Sequence, residues 1–301
     1  MTNPLKLSYI ISTRNRLPFL KITLQFLLAN LKDDEEIVII DGDSNDGTKE
    51  YLAELYARGE IQKFISEPDR NQSHGWNKAI LLAEGEIIKK VIDDDLFCFD
   101  AIQKCKEYML ANKSVDICIS NTLTTSLTNY QNIDREGRQD YYLSWKLGQV
   151  KSFTFGDVSM LMRKSSIPYI GLYDTSFVMM DYEFSLRISY LQANIAYYTG
   201  FNAMSISNPN SVSASARSHS LKSEGTRANT MYEYQGDHAT ISPYSKIKIF
   251  VGKTLYQLGI WQPVVHKKME QGFGYASLSE IYEFCYEQLN SINANQEFEF
   301  L

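Results

Sequence analysis

The chain has 301 residues, 44% of them hydrophobic and 22% charged, the make-up of a soluble globule with one large domain, or one domain and an appendage. Its formal net charge of −6 argues against a nucleic-acid partner. Aliphatic runs are short, Ile37-Val38-Ile39-Ile40 being typical, so no segment approaches the roughly 20 apolar residues of a membrane span. The chain passes from Met1 through Pro4 into a strand-like run without a signal-peptide pattern. Cys98, Cys105, Cys118 and Cys285 lack metal-site spacing and read as reduced, buried thiols of a cytoplasmic protein.

In chain order, residues 5–11 form an apolar strand that ends in Ser12-Thr13-Arg14-Asn15-Arg16. Pro18 opens a helix to about residue 31, with Phe19, Ile22, Phe26 and Leu27 on one face. A second strand over 36–40 ends in Asp41-Gly42-Asp43-Ser44-Asn45-Asp46-Gly47, and Thr48 is placed to cap a helix running to Gly59. A third strand, 61–66, ends in Glu67-Pro68-Asp69-Arg70-Asn71-Gln72, and Ser73 is placed to cap the next helix. Residues 86–92 read as a short buried strand running into Asp93-Asp94-Asp95. A helix over 99–112 and a strand over 115–120 follow.

Alternating strand and helix implies a mostly parallel sheet with helices on both faces, and ligands sit beyond the carboxyl ends of such strands. The first four strands all end in polar clusters, and their opposite ends do not. One acidic triplet alone is more often a solvated loop. Four clusters at one rim point instead to a nucleotide site. Three adjacent carboxylates there suit a hard divalent cation, which prefers oxygen ligands and bridges protein to phosphate.

Residues 122–151 are polar and irregular. Residues 153–162 read as a strand interrupted at Gly156-Asp157, and Met180 to Arg187 opens a helix with Phe184, Ile188 and Leu191 facing inward. Residues 195–198 and 203–207 are strand-like. Residues 211–223, rich in Ser, are the candidate mobile loop, and His219 within it could reach a diphosphate. Helical segments are expected near 226–234, 244–258 and 278–289. The stretch 244–268 carries five Lys and no acid, which leaves two readings: peripheral contact with an anionic membrane, or a helix packed on the domain or on a homodimer mate.

The order of motifs resembles glycosyltransferase family 2, the GT-A group of nucleotide-sugar transferases. The matching text is Ser12-Thr13-Arg14-Asn15, Ile39 to Thr48, Ser66 to Arg70, Asn77-Lys78-Ala79, Asp93 to Phe97, Gly171 to Asp174, and Asp181-Tyr182-Glu183 with Leu186-Arg187. The resemblance covers about residues 5–200. It implies a GT-A, Rossmann-like α/β fold over 1–220, divided into a nucleotide-binding half (about 1–121) and an acceptor half (about 122–220), with a helical extension over 221–301. Thr13, Arg14, Asp41, Asp43 and Asp93 are then expected around base and ribose, and Arg70, Asn77 and Lys78 near phosphate or sugar. Asp94 and Asp95 are expected at Mn²⁺ or Mg²⁺. The family motif begins one place before Asp93, where this chain has Ile92, which blurs which carboxylate does which task. Asp181 is expected as the general base that deprotonates the acceptor hydroxyl, at a helix N-terminus that favours the ionised form.

The reading that follows is an inverting, metal-dependent transfer from a nucleotide sugar, with UDP as the first guess, to a glycan or lipid-linked acceptor in bacterial surface polysaccharide synthesis. The site would lie in the cytoplasm or at the inner membrane face. Two alternatives stand beside it. A sugar-nucleotide pyrophosphorylase would want a Gly-rich loop after the first strand, which Ser12 to Arg16 lacks. A non-catalytic nucleotide-sugar module would keep the pocket without the base. Each cluster also has a plain reading: Asp46-Gly47 as a turn, Glu183 and Arg187 as a helix-surface pair, Trp76 as core.

Overall fold

The structure is a computed structural model and describes residues 5–208, 218–236 and 275–301. The expected helix over 244–258, the basic stretch 244–268, and residues 211–217 of the Ser-rich segment lie outside the described residues. So does the side chain of His219.

Four parallel strands form one half of the sheet: β1 (Leu7–Thr13), β2 (Glu35–Asp41), β3 (Lys63–Ser66) and β4 (Ile87–Lys90), in the order β3-β2-β1-β4. Beyond β4 the sheet becomes mixed. β8 (Leu161–Arg163) pairs antiparallel to β4 and to β6 (Ile117–Ser126). β9 (Ile195–Ser207) runs parallel to β6, and its other edge pairs antiparallel with the two-residue β5 (Leu96–Phe97). β7 (Asp134–Glu136) pairs with β6. The two strand-like pieces read at 195–198 and 203–207 are thus one long strand. A register irregularity near Ser120 and Asn121 of its partner β6 accounts for the break in pattern. The interrupted strand read at 153–162 is shorter than expected. A one-turn 3₁₀ helix at Asp157–Ser159 comes before β8.

Burial on both faces explains the near-continuous apolar text of β1 and β2. Tyr9, Ile11, Ile37 and Ile39 enter one core, and Ile10, Val38 and Ile40 the other, as the two-residue period requires. Helices α1 (Leu17–Asn30), α2 (Thr48–Ala57) and α4 (Phe99–Ala111) cover the first face. Helices α3 (Gln72–Leu82), α5 (Gln139–Lys146), α6 (Ile167–Ile170) and α7 (Met180–Tyr190) cover the second. Helix α3 is capped by Asn71, whose side chain accepts from His74 N–H at 3.0 Å; Ser73, expected as the cap, lies inside the helix and is buried. The cap moves two residues earlier because Asn71 holds an extended backbone.

Two later helices complete the described chain, α8 (Ser218–Met231) and α9 (Tyr275–Ala294). The division expected at residue 220 therefore falls inside a helix. Helix α9 packs on α1, β5 and β9, with Tyr286 stacked on Phe26 of α1 at 4.3 Å, and beyond the helix Leu301 exchanges two backbone hydrogen bonds with Tyr197 of β9. None of the described helices is long and apolar enough to cross a membrane.

Candidate active site

The parallel strands end side by side, and their polar clusters interlock. Thr13 lies opposite Asp41 in the β1–β2 ladder, and its carbonyl accepts from Gly42 N–H at 2.9 Å. The Thr13 hydroxyl donates to Asp93 at 2.6 Å, across 80 residues of chain. Asp41 is fully buried and accepts from the Ser44 backbone and hydroxyl, and from the Ser66 hydroxyl at 2.6 Å at the end of β3. Its loop is knitted to the one after β1: Asn15 N–H donates to Ser44 Oγ at 2.7 Å, and Asn45 N–H donates to Asn15 Oδ1 at 2.8 Å. Asp46 accepts from Leu17 N–H at 3.0 Å and Thr48 N–H at 3.2 Å, so it holds the starts of α1 and α2 together. Gly47 completes the turn at φ +91°, which a side chain would strain.

The Asp triplet occupies the short link between β4 and β5. All three carboxylates are buried, Asp94 least so at 9% exposed. Arg16 spans two of them: its Nε lies 2.9 Å from Asp93 Oδ1, and its Nη2 pairs with Asp94. Burial pulls the Arg16 guanidinium down, and the charges of Asp93 and Asp94 more than offset this, so its pKa is raised. Asp95 accepts from Ile206 N–H of β9 at 2.8 Å. Tyr282 of α9 donates to the Asp94 carbonyl at 2.6 Å, so the C-terminal helix supports the link from beneath. Burial raises Asp93 to about 7, with Asp94 adding and Arg16 opposing. Burial and the neighbouring Asp94 raise Asp95 to about 8, and burial raises Asp94 too. Three carboxylates thus crowd one small volume, at a cost in charge that a single guanidinium only partly meets.

Asp181 stands in the first turn of α7, and the loop before it is strapped to α3. Asn77 donates to Tyr173 O at 2.8 Å and accepts from Tyr173 N–H at 2.9 Å, and Asn71 donates to Thr175 O at 2.7 Å. Helix α8 ties down the approach to α7: Glu224 accepts from Val178 N–H at 2.8 Å and Met179 N–H at 3.1 Å. Asp181 is solvent-exposed, yet desolvation raises its pKa, with Asp157 adding to the rise and Lys90 opposing it. Lys90 lies three residues before Asp93 on the same segment, so the surroundings of Asp181 and of the triplet meet along β4.

The remaining expected residues divide into two groups. Arg14, Asp43 and Arg70 are exposed at the rim, and Arg14 lies over Gly42, where an added Cβ would sit 3.4 Å from its side chain. Asn77 and Lys78 are engaged by protein, Asn77 in the clamp on Tyr173 and Lys78 in ion pairs with Glu67 at 2.8 Å and Asp69 at 2.6 Å. Sequence reasoning passed over Arg16, Gly75, Asp157 and Tyr282. A Cβ on Gly75 would lie 2.3 Å from Ser12 Oγ and 2.6 Å from Asp69 Oδ2, so this glycine lets α3 approach the tip of β1. A glycine inside a helical pattern was the available signal. Glu183 and Arg187 form the expected i,i+4 pair, at 2.8 Å, but Glu183 is buried rather than on the helix surface; Trp76 is core.

A family model described as glycosyl transferase family 2 matches residues 8–170, from β1 to the end of α6. Chondroitin synthase of Escherichia coli is 33% identical over 104 residues, 35% of this chain and 14% of that protein. The chain spans less than half the length of the curated relatives it matches. Among solved structures, S. aureus TarS 1-349 in complex with UDP-GlcNAc superposes with a TM-score of 0.55 at 14% identity, covering 95% of this chain and 92% of that one. The mannosyltransferase PcManGT from Pyrobaculum calidifontis, in complex with GDP-Man and Mn²⁺, gives 0.53 at 14% identity, covering 96% and 88%. At such identities the likeness shows the fold, which is GT-A. With that fold, and with a family model that matches more than half of its residues, the chain belongs to glycosyl transferase family 2.

Proposed function

We propose that this glycosyltransferase moves a sugar from a nucleotide-sugar donor to an acceptor hydroxyl, with inversion at the anomeric carbon. The observation that carries the reading is the meeting of Thr13, Asp41 and the Asp triplet at one rim, with Asp181 facing solvent near β4. The neighbours' complexes with UDP-GlcNAc and with GDP-Man support a nucleotide-sugar donor, and UDP is the first candidate base. Asp41 and Asp93 would bind the nucleoside, and Arg14 and Arg70, exposed at the rim, suit its phosphates. The related chondroitin synthase is compatible with a glycan acceptor and a role in surface polysaccharide synthesis.

The chemistry of the triplet fits a divalent ion. Its donors are carboxylate oxygens, and their raised pKa values record charge that a hard cation would relieve. Among the described residues, no three His, Cys, Asp or Glu groups close around an ion alone, so Asp94 and Asp95 would hold it together with substrate oxygens. Bound there, the ion would supply Lewis-acid neutralisation of the departing diphosphate. Asp181 would accept the proton of the acceptor hydroxyl as that oxygen attacks the face opposite the leaving group.

Thermal melting with UDP-GlcNAc, UDP and GDP-mannose, each with and without Mn²⁺, tests the reading. A nucleotide that binds the folded chain raises the midpoint by mass action, and Mn²⁺ should enlarge the rise. No shift with any of the three, at concentrations that saturate related sites, would remove the donor site.

A further inference from the structure

At the far end of β6 a cavity of about 280 Å³ opens on the sheet, and every described residue that lines it is polar. Strand β6 contributes Thr124 and Ser126, and β9 contributes Ser207, which lies opposite Ser126 in the β6–β9 ladder. Asp134 and Glu136 come from β7, and Asn129 and Asn132 from the loop that joins β6 to β7. The Thr125 hydroxyl holds that loop by donating to Asn132 O at 2.8 Å. The side chains of Asn129, Asn132, Asp134 and Glu136 form no hydrogen bond or ion pair among the described residues, so their donors and acceptors are free.

The cavity adjoins the groups already described. Strands β4 and β6 both run antiparallel to β8, so β6 ends at the rim that holds the Asp triplet. Ser207 directly follows Ile206, whose N–H donates to Asp95 at 2.8 Å. The register irregularity at Ser120 and Asn121 decides which side chains reach the cavity. Before it, Ile117 and Ile119 of β6 enter the second core, with Phe184 of α7, the helix that carries Asp181. After it, Leu123 enters the first core together with Met204 and Ile206 of β9. By strand alternation Thr124, Ser126 and Ser207 then turn to the face that α7 covers further back. Irregularities of this kind re-aim side chains, and here one turns hydroxyls instead of a leucine towards the Asp181 side of the sheet.

We propose that this cavity seats the acceptor, and that the acceptor presents an uncharged saccharide unit. The inference deepens the transferase reading and rests on it. A sugar ring carries several hydroxyls, each a donor and an acceptor. Asp134 and Glu136 accept from such hydroxyls, the amides of Asn129 and Asn132 do both, and Thr124 and Ser207 complete the set. The volume falls just under the range of about 300–1,000 Å³ usual for ligand pockets, which suits a short saccharide rather than a long chain. No Lys or Arg lines the cavity among the described residues, so a carboxylate, sulfate or phosphate on the ligand would meet two carboxylates of like sign. Repulsion of that kind selects against the wrong partner as effectively as new contacts select for the right one.

The experiment is saturation-transfer NMR on the full chain, in EDTA and without nucleotide, at millimolar sugar. Glucose, galactose and their N-acetylhexosamines are titrated against glucuronate and galacturonate. At least one neutral sugar should bind, and Thr124→Val should weaken it about fivefold, the effect of one ordinary hydrogen bond. The uronates should not bind wild type. They should bind the double variant Asp134→Asn/Glu136→Gln, which keeps oxygen acceptors and removes both charges. Both changes fall on residues that are exposed or half-buried, and melting temperatures check that the variants fold. No binding by any neutral sugar, an affinity that Thr124→Val leaves unchanged, or uronates bound by wild type as tightly as their neutral counterparts would overturn the proposal. If nucleotides fail to shift the melting point, the donor reading falls instead, and the nucleotide-free titration still decides what the cavity takes.

Discussion

At the ends of β1, β2 and β4 the carboxylates are held by side chains. Asp41 takes hydrogen bonds from Ser44 and Ser66, and Asp93 takes one from Thr13 and is ion-paired with Arg16. On the mixed side of the sheet, Asp181 is approached by the backbone N–H of Tyr182 and its own, and it remains in contact with solvent. Under the proposed function the contrast separates two tasks. A group that grips a ligand gains from a fixed orientation, because freedom lost in folding is not lost again on binding. A group that takes up a proton must stay open to the acceptor and keep its charge adjustable.

The sharpest way to break this comparison is Asp181→Asn. Turnover should fall by about 10²–10⁴, the usual contribution of a general base, while calorimetry with the donor shows unchanged affinity. Lost affinity would mean that Asp181 belongs with the gripping group. Next in size is Gly75→Ala, which pushes a methyl into Ser12 and Asp69 at the rim. Overpacking of this kind costs about 1–3 kcal/mol, read as a lowered denaturation midpoint, and donor affinity should fall with it.

A pH experiment sharpens the gripping side. The folded chain holds protons on Asp93 and Asp95 up to about 7 and about 8, whereas the unfolded chain releases them near 3.8. Raised carboxylate pKa values therefore contribute stability that is present below about pH 4 and lost as pH climbs through 7 and 8. A divalent ion that replaces those protons should raise the melting point more at pH 8 than at pH 6. An equal or smaller shift at pH 8 would place the ion elsewhere. The smallest effect expected is that of Tyr282→Phe, which leaves the Asp94 carbonyl without its buried donor. A loss of about 1–2 kcal/mol in chemical denaturation should appear.

Much of the rim was legible in the text because strands buried on both faces read as continuous apolar runs, and each run stopped at a polar cluster. That pattern marked the clusters, and the resemblance singled out Asp41, Thr13 and Asp93 within them. The partners of those residues could not be named. Arg16 stands three places from Thr13 in the same cluster, and only the path of α1 decides that its guanidinium turns to the triplet rather than to water. Lys89 and Lys90 in a strand read as buried were a signal left unused, since buried cations need partners. Their ligands lie far along the chain: Lys89 on the Val158 carbonyl, its pKa pushed down by burial to about 7, and Lys90 on Asp157.

By itself, the sequence determined the alternation of strand and helix, the parallel half, and the rim at which polar clusters gather, because these follow from local periodicity and the placing of turn residues. Only the tertiary structure decided how charge is balanced. It put one guanidinium between two carboxylates, drew Lys90 to Asp157 across 67 residues, and set Tyr282 beneath Asp94 from the last described helix. Electrostatic partnership depends on distance in space, which no periodicity encodes.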